Sequence, residues 1–234
     1  MKKSITVNVF VSRHGEKIGD AITSKSAENL RKKWFKQGYL LETGPVIIFH
    51  SPAERARQTA QAISAGLKQS NLVTRFLPNR SESLTEAKTD AEIAKTESAK
   101  GKTRDDLVLD YVESRGAPGL TTPTREELMK KIHKDLFRGL YDLLYAPNAL
   151  AKKREHEVYN VVNVTHSPNL DLLKAFVLRK TGKEFTRQDL VQQEEHLKLV
   201  AKPTGIYFND RRIFSVEELK QFLGLKPAGF KQIL

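Results

Sequence analysis

Residues 5–16 read ITVNVFVSRHGE, an apolar stretch that ends in four residues of a different chemistry. Apolar residues stand at every second position from Ile5 to Val11, and this period of two predicts a strand with one face in the core. Arg13-His14-Gly15-Glu16 comes where that strand ends. Arginine offers a rigid fork of donors for phosphate oxygens, and a neutral imidazole is a nucleophile. Gly15 is expected to let the backbone turn away sharply, because it has no Cβ.

The rest of the chain alternates between strand and helix patterns. A continuous apolar run at residues 46–49 is typical of a buried parallel strand. Further predicted elements are strands at 72–77 and 158–164, helices at about 26–38, 125–144 and 168–181, a hairpin around Asn209-Asp210, and a last helix capped by Ser215. This alternation predicts a three-layer α/β/α sandwich with a mainly parallel sheet. Residues 81–124 are polar, and we expect them to form an inserted cap or lid in a single domain of residues 1–234.

Composition limits the classes of protein that the chain can belong to. It holds 40 Lys and Arg against 28 Asp and Glu, for a net charge of +12, which favours anionic partners. The absence of cysteine excludes disulfides, zinc–thiolate sites and cysteine nucleophiles. No continuous apolar segment follows Met1-Lys2-Lys3 or approaches a membrane span, so we expect a cytoplasmic protein.

Two further motifs follow strands. Ser51-Pro52-Ala53-Glu54-Arg55 comes directly after the strand at 46–49, and its pattern predicts a helix with Ser51 as N-cap, Pro52 in the first position and Glu54 completing a capping box. Arg55 then lies in the first turn, and Arg57 points to solvent. His166-Ser167-Pro168 follows the strand at 158–164 in the same way.

These motifs are expected to meet in space. The functional crevice of an open parallel sheet lies beyond the carboxyl ends of its strands. Arg13, His14, Arg55 and His166 should therefore converge there and form a site for a tetrahedral dianion. One histidine would attack, and the other would donate to a non-bridging oxygen.

The order of these motifs resembles that of the histidine phosphatase superfamily, the phosphoglycerate mutase-like or Arg-His-Gly family. The resemblance rests on Arg13-His14-Gly15, on Ser51-Pro52 through Arg55-Ala56 to Gln58-Thr59-Ala60, and on Thr165-His166. It covers about residues 5–180. It implies that His14 becomes phosphorylated, while Arg13, Arg55 and His166 hold the phosphoryl oxygens. We also predict that Ser167 contacts the substrate. The resemblance also implies a carboxylic acid that protonates the leaving group, for which Leu84-Thr85-Glu86 indicates Glu86, with Glu82 as its rival.

Departures from the family pattern bear on the reaction. The Trp-Asn signature of cofactor-dependent mutases is absent from residues 17–25, and Lys17 replaces the Thr or Ser of many members. His166-Ser167-Pro168 is similar to the His-Asn-Pro of phosphohistidine phosphatases, yet that branch is usually compact. We therefore predict a phosphoric monoester hydrolase without metal or cofactor.

Other functions and partners stay open at the level of sequence. The predicted substrate is a phosphorylated small molecule, a phosphoprotein or a phosphohistidine. One alternative is a phosphotransferase of the mutase type, and another is a basic module that binds phosphate or RNA with weak catalysis. His196, beside Glu194-Glu195, could belong to a metal-ligand set, but no second histidine stands at a suitable spacing. No pattern indicates an oligomeric state.

Overall fold

A computed structural model of the chain describes residues 5–41, 44–70, 74–80, 88–89, 91–113, 121–122, 124–144 and 158–225. The strands are β1 Thr6–Arg13, β2 Lys17–Ile18, β3 Ala21–Ile22, β4 Val46–His50, β5 Thr74–Arg80, β6 Lys88–Thr89, β7 Thr121–Thr122, β8 Val158–Thr165, β9 His196–Lys202, β10 Gly205–Phe208 and β11 Arg211–Phe214. The helices are α1 Ser24–Leu40, α2 Glu54–Gln69, α3 Ala91–Ala99, α4 Arg104–Glu113, α5 Arg125–Ile132, α6 Arg138–Leu144, α7 Asn169–Lys180 and α8 Val216–Phe222.

Seven strands form the main sheet of the described chain, in the order β11-β10-β9-β1-β8-β4-β5. Strands β1, β8, β4 and β5 are parallel, and β9, β10 and β11 extend the sheet beyond β1 in antiparallel pairs. In the register, Arg13 lies opposite Thr165, and Val164 lies opposite His50. The carboxyl ends of β1, β8 and β4 therefore finish side by side, which is the arrangement that brings the three predicted motifs together.

The side chains of β1 alternate between two apolar layers, as strand geometry requires. Val7, Val9 and Val11 pack into a cluster with α5, α6, α7 and α8. Phe10 faces the other way, into a cluster with Leu30 and Trp34 of α1 and with α2. Burying an apolar side chain of this size contributes about 1.5–3 kcal/mol. Helices thus cover both faces of the sheet, and the predicted three-layer α/β/α fold is confirmed.

Several local predictions are confirmed, with shifted boundaries. The hairpin β10–β11 turns at Asn209 and Asp210, both with positive φ, and Ser215 caps α8 in a capping box with Glu218. Helix α1 runs through Gly38 to Leu40 instead of stopping at the glycine. The strand predicted at residues 72–77 lies at Thr74–Arg80. Strand β9 carried no prediction.

The segment predicted as a lid, residues 81–124, contains α3, α4 and the two-stranded ribbon of β6 and β7 where it is described. Tyr111 and Val112 of α4 are buried in the same apolar cluster as Val7, Val9 and Val11 of β1. The lid assignment and the single domain of residues 1–234 stay predictions. No helix in the described ranges is long and apolar enough to cross a membrane.

Candidate active site

The predicted histidines meet at the carboxyl edge of the sheet. The backbone N–H of His14 donates to Thr165 O at 3.1 Å, and that of Ser51 donates to Val164 O at 3.0 Å, so the strand ladders continue into the motifs. The ring centroids of His14 and His166 are 5.1 Å apart. Both side chains are buried, as are those of Arg13 and Arg55.

His14 is held in one tautomer. Its Nδ1 lies 2.8 Å from the carbonyl oxygen of Gly15, which only accepts, so Nδ1 carries the hydrogen and Nε2 keeps its lone pair. Burial, with the nearby Arg55, Arg13 and Lys17 cations, outweighs this hydrogen bond and lowers the pKa of His14 to about 4. The imidazole is therefore neutral at physiological pH, as a nucleophile must be.

Gly15 is required for close packing against α1. A Cβ at this position would lie 2.3 Å from Ser26 Oγ and 3.1 Å from Leu30 Cδ1. The glycine N–H donates to Thr59 Oγ1 at 3.0 Å, so the loop is also tied to α2. The predicted need for a residue without a Cβ is thus confirmed, and α1 is the element that leaves no space for one.

The two arginines approach from different elements. Arg55 lies in the first turn of α2, and its Nη1 is 3.7 Å from Oδ1 of the exposed Asp20, between β2 and β3. Arg13 donates from Nη1 to Val191 O at 2.5 Å. Burial, followed by the repulsion of Arg104, lowers the pKa of Arg13. Arg57 pairs with Glu54 on the exposed side of α2, as predicted.

His166 is paired with Ser51. The distance between Ser51 Oγ and His166 Nε2 is 2.5 Å, and His166 Nδ1 has no hydrogen-bond partner among the described residues. Burial, with the proximity of His14, Arg55 and Lys17, lowers the pKa of His166 to about 2. A neutral imidazole that accepts from Ser51 at Nε2 carries its hydrogen on Nδ1 and can donate it to a ligand.

The predicted N-cap role of Ser51 is wrong. Helix α2 begins at Glu54, its N-cap is Ala53, and no side chain caps it. The Ser51 hydroxyl instead contacts the ring of His166, because both side chains are fully buried and a buried polar group needs a partner within the protein. Glu54 accepts from Arg57 and Gln58 instead of completing a capping box.

Ser167 forms a hydrogen bond with Asp171, a residue for which the sequence analysis made no prediction. Its hydroxyl donates to Asp171 Oδ2 at 2.5 Å, and Asp171 Oδ1 accepts from the Val191 N–H at 2.7 Å. Burial raises the pKa of Asp171, whose carboxyl is almost fully enclosed. The only signal in the sequence is the i, i+4 spacing of Ser167 and Asp171. The predicted substrate contact of Ser167 stays a prediction.

Sequence reasoning also missed segment 191–195, although three hydrogen bonds join it to β1, one of them from the Ser12 hydroxyl to Glu195 O. Besides the bond from Arg13 to Val191, Glu195 O accepts from the Arg13 N–H at 2.9 Å. These partners are more than 170 positions apart in the chain, so no local pattern connects them.

The remaining candidates divide into two groups. Glu86 and Glu82 lie outside the described residues, so the choice of proton donor stays a prediction. His196 packs its ring against Phe10 and Trp34, at centroid distances of 5.4 Å. Within the described ranges, no group of three or more His, Asp or Glu could hold a metal ion.

The fold is that of the phosphoglycerate mutases. This chain is similar in structure to phosphoglycerate mutase from Bacillus anthracis str. Sterne, with a TM-score of 0.57 and 15% identity over 95% of this chain and 97% of the other. Mycobacterial hydrolase 2 gives a TM-score of 0.53 at 15% identity, covering 96% and 99%. Bacillus stearothermophilus YhfR gives 0.52 at 15% identity, covering 90% and 98%. No protein-family model and no curated protein matches the sequence.

Proposed function

We propose that the protein is a metal-independent phosphatase of the histidine phosphatase superfamily, which hydrolyses a phosphomonoester, a phosphoprotein or a phosphohistidine through a phosphohistidine on His14. The observation that carries the proposal is the hydrogen bond from His14 Nδ1 to Gly15 O, 2.8 Å long, which leaves the Nε2 lone pair available. Arg13, Arg55 and His166 accompany it at the same sheet edge. This set combines a nucleophile with donors for a dianion.

The reaction proceeds in two balanced steps. His14 Nε2 attacks phosphorus, the bond from phosphorus to the leaving oxygen breaks, and that oxygen takes a proton from the acid predicted at Glu86. Water then attacks the phosphohistidine and gives a proton back to the acid. The phosphorus–nitrogen bond breaks, inorganic phosphate leaves, and neutral His14 is restored.

The charges in the site suit the transition state. The phosphoryl group carries negative charge on its equatorial oxygens, and preorganised cations stabilise it without reorganisation. Arg13 and Arg55 supply two guanidinium groups. The tautomer of His166 that accepts from Ser51 at Nε2 supplies a further donor at Nδ1. His14 and His166 are neutral before the substrate binds. Of these four side chains, only Arg13 and Arg55 are therefore charged in the free site.

Water is proposed as the acceptor because the Trp-Asn signature of cofactor-dependent mutases is absent from residues 17–25. The test is hydrolysis of 4-nitrophenyl phosphate in EDTA by the full-length protein and by His14→Ala. Loss of turnover in the variant is expected, and full activity in it would refute the proposal. Incubation with a phosphoglycerate separates the alternatives, because a mutase returns a rearranged ester and a phosphatase returns inorganic phosphate.

Arg55→Ala has a matched control two residues along the same helix. Arg57 is exposed and pairs with Glu54, so Arg57→Ala changes charge by the same amount outside the site. Arg55→Ala should lower kcat/KM by at least about 100-fold, the usual effect of removing one transition-state donor, and Arg57→Ala should leave it unchanged. Salt-sensitive RNA binding that survives Arg55→Ala, with no hydrolysis, would favour the binding-module alternative.

A further inference from the structure

One peptide unit connects the nucleophile to helix α1. The carbonyl of Gly15 accepts from His14 Nδ1 at 2.8 Å, and the N–H at the other end of the same peptide bond, that of Glu16, donates to Ser26 Oγ at 2.9 Å. A peptide unit is planar, so the direction of its N–H fixes the direction of its carbonyl. Whatever orients Ser26 therefore also orients the hydrogen bond that sets the tautomer of His14.

Glu194 orients Ser26. The Ser26 hydroxyl donates to Glu194 Oε1 at 2.5 Å. A hydroxyl has a single hydrogen, so with that hydrogen directed at a carboxylate the lone pairs remain for the Glu16 N–H. Ser26 is only 1% exposed, so water does not offer its hydroxyl an alternative partner.

The backbone holds Glu194 in an unfavourable conformation at this position. Its φ is 66°, in the left-handed region that costs a residue with a Cβ free energy. Lys33, seven residues after Ser26 on α1, donates to Glu194 O at 2.5 Å. The next carbonyl, Glu195 O, accepts from the Arg13 N–H. Contacts to α1 on one side and to β1 on the other thus hold Glu194 against the Ser26 hydroxyl.

We infer that Glu194 is a positioning residue for His14 and acts through Ser26 and the Gly15–Glu16 peptide. The inference rests on the proposed role of His14 as nucleophile. Hydrogen bonds in a chain polarise one another. The carboxylate of Glu194 makes the Ser26 oxygen a better acceptor for the Glu16 N–H. This polarises the peptide unit, so the Gly15 carbonyl becomes a better acceptor for the His14 Nδ1–H. The Nε2 of His14 then becomes more electron-rich. Glu194 thereby both fixes the ring and strengthens the nucleophile.

The test compares Glu194→Ala and Glu194→Gln in the full-length protein. Alanine removes the acceptor, whereas glutamine keeps an oxygen that can accept from Ser26 but lacks the charge. By analogy with outer-shell partners of reactive groups, kcat should fall on the order of tenfold or more in Glu194→Ala, with KM little changed. Glu194→Gln should recover part of that loss. Glu28→Gln is the control, because it removes a carboxylate of α1 that pairs with Arg31 and Lys32.

The nitrogen-15 chemical shifts of the His14 ring give a readout that does not depend on turnover. We expect wild type to show the Nδ1–H tautomer, and Glu194→Ala to show a mixture of tautomers and a lower pKa of His14. The cations that face this ring, Arg13, Arg55 and Lys17, are present in every variant. Wild-type kcat and wild-type ring shifts in Glu194→Ala would overturn the inference.

The two proposals fail in different ways. If His14→Ala keeps full activity, the proposed function is wrong, whatever Glu194 does. If His14→Ala is inactive but Glu194→Ala matches wild type in kcat and in ring shifts, only the role of Glu194 is wrong. A lower melting temperature with unchanged shifts and unchanged kcat would mark Glu194 as a purely structural residue and would also refute the inference.

Discussion

Gly15→Ala should distort the nucleophile loop, because helix α1 leaves no room for a methyl group. The new Cβ would lie 2.3 Å from Ser26 Oγ, whereas ordinary contacts begin near 3.4 Å, so the loop or the serine must move by about 1 Å. The serine is not free to rotate away, because its oxygen holds the Glu16 N–H and the Glu194 carboxylate. The movement therefore falls largely on the loop that carries His14.

The expected losses follow from that displacement. Overpacking of a buried site costs about 1–3 kcal/mol of the free energy of unfolding. The entropy that alanine removes from the unfolded chain offsets about 0.4–1 kcal/mol of it. We expect a net loss of about 1–2 kcal/mol. Activity should suffer more, because a misplacement of about 1 Å at a reacting group costs on the order of 100-fold in rate.

A double-mutant cycle isolates the clash. Ser26→Ala removes the offending oxygen and leaves the two Cβ atoms 3.3 Å apart. The free energies of unfolding of Gly15→Ala, Ser26→Ala and the double variant should be measured in urea. The double variant should lose about 1 kcal/mol less than the sum of the two single losses. Its kcat should stay low, because the acceptor of the Glu16 N–H is gone. Additive stability losses, or wild-type stability in Gly15→Ala, would refute the steric reasoning.

Three further predictions concern charges in and beside the site. Burial holds the pKa of His14 at about 4, and the neutral ring is the form that attacks. After correction for ionisation of the substrate, kcat/KM should therefore stay level from neutral pH down to about pH 5 and fall below pH 4. A decline centred on pH 6.5 would contradict this. Asp20 competes with a bound anion for Arg55, so Asp20→Asn should lower the dissociation constant of inorganic phosphate, measured by titration calorimetry, by at most about fivefold, and by less in high salt. Weaker phosphate binding in the variant would contradict the competition. Asp171→Ala leaves the buried Val191 N–H without its acceptor and should lower the free energy of unfolding, measured in urea, by about 2–4 kcal/mol. Asp171→Asn keeps an oxygen that can accept this hydrogen bond and should lower the free energy of unfolding by less. Equal losses in the two variants would show that the charge of Asp171 dominates instead.

The meeting of the two histidines could be predicted from the sequence because it depends on a general property of parallel sheets. His14 and His166 each follow a predicted strand of the parallel sheet, and the carboxyl ends of such strands share one edge. The structure places their rings 5.1 Å apart, with Arg55 in the first turn of the intervening helix. Short-range patterns and one topological rule were sufficient for this part of the site.

The hydrogen bonds of the site could not be predicted, because their partners are distant in the chain. Ser51 has the local pattern of an N-cap, yet it bonds to His166, 115 positions away. Ser26 and Glu194 are 168 positions apart, and Glu194 carries no motif. Where a polar group is buried, the nearest unsatisfied partner in space decides its bond, and sequence spacing does not reveal that partner.

The helix at residues 125–144 shows a further limit of periodicity. Its apolar residues recur at every fourth position, and a regular helix with 3.6 residues per turn would let such a stripe drift around its axis. A wider π-helical turn at His133–Phe137 adds residues to one turn, and Phe137 becomes fully buried in the core. The spacing of four would place Leu136 in the core, whereas the structure buries Phe137 more deeply.

The phosphorylated intermediate is the most direct test of the central claim. Wild-type protein should be mixed with a phosphorus-32-labelled phosphomonoester, quenched with alkali within a turnover, and digested for mapping of the label. We predict one phosphoryl group per chain on the peptide that contains His14, stable in alkali, lost in acid and absent from His14→Ala. Turnover with no label on that peptide, or an acid-stable label on serine or threonine, would contradict the proposed nucleophile.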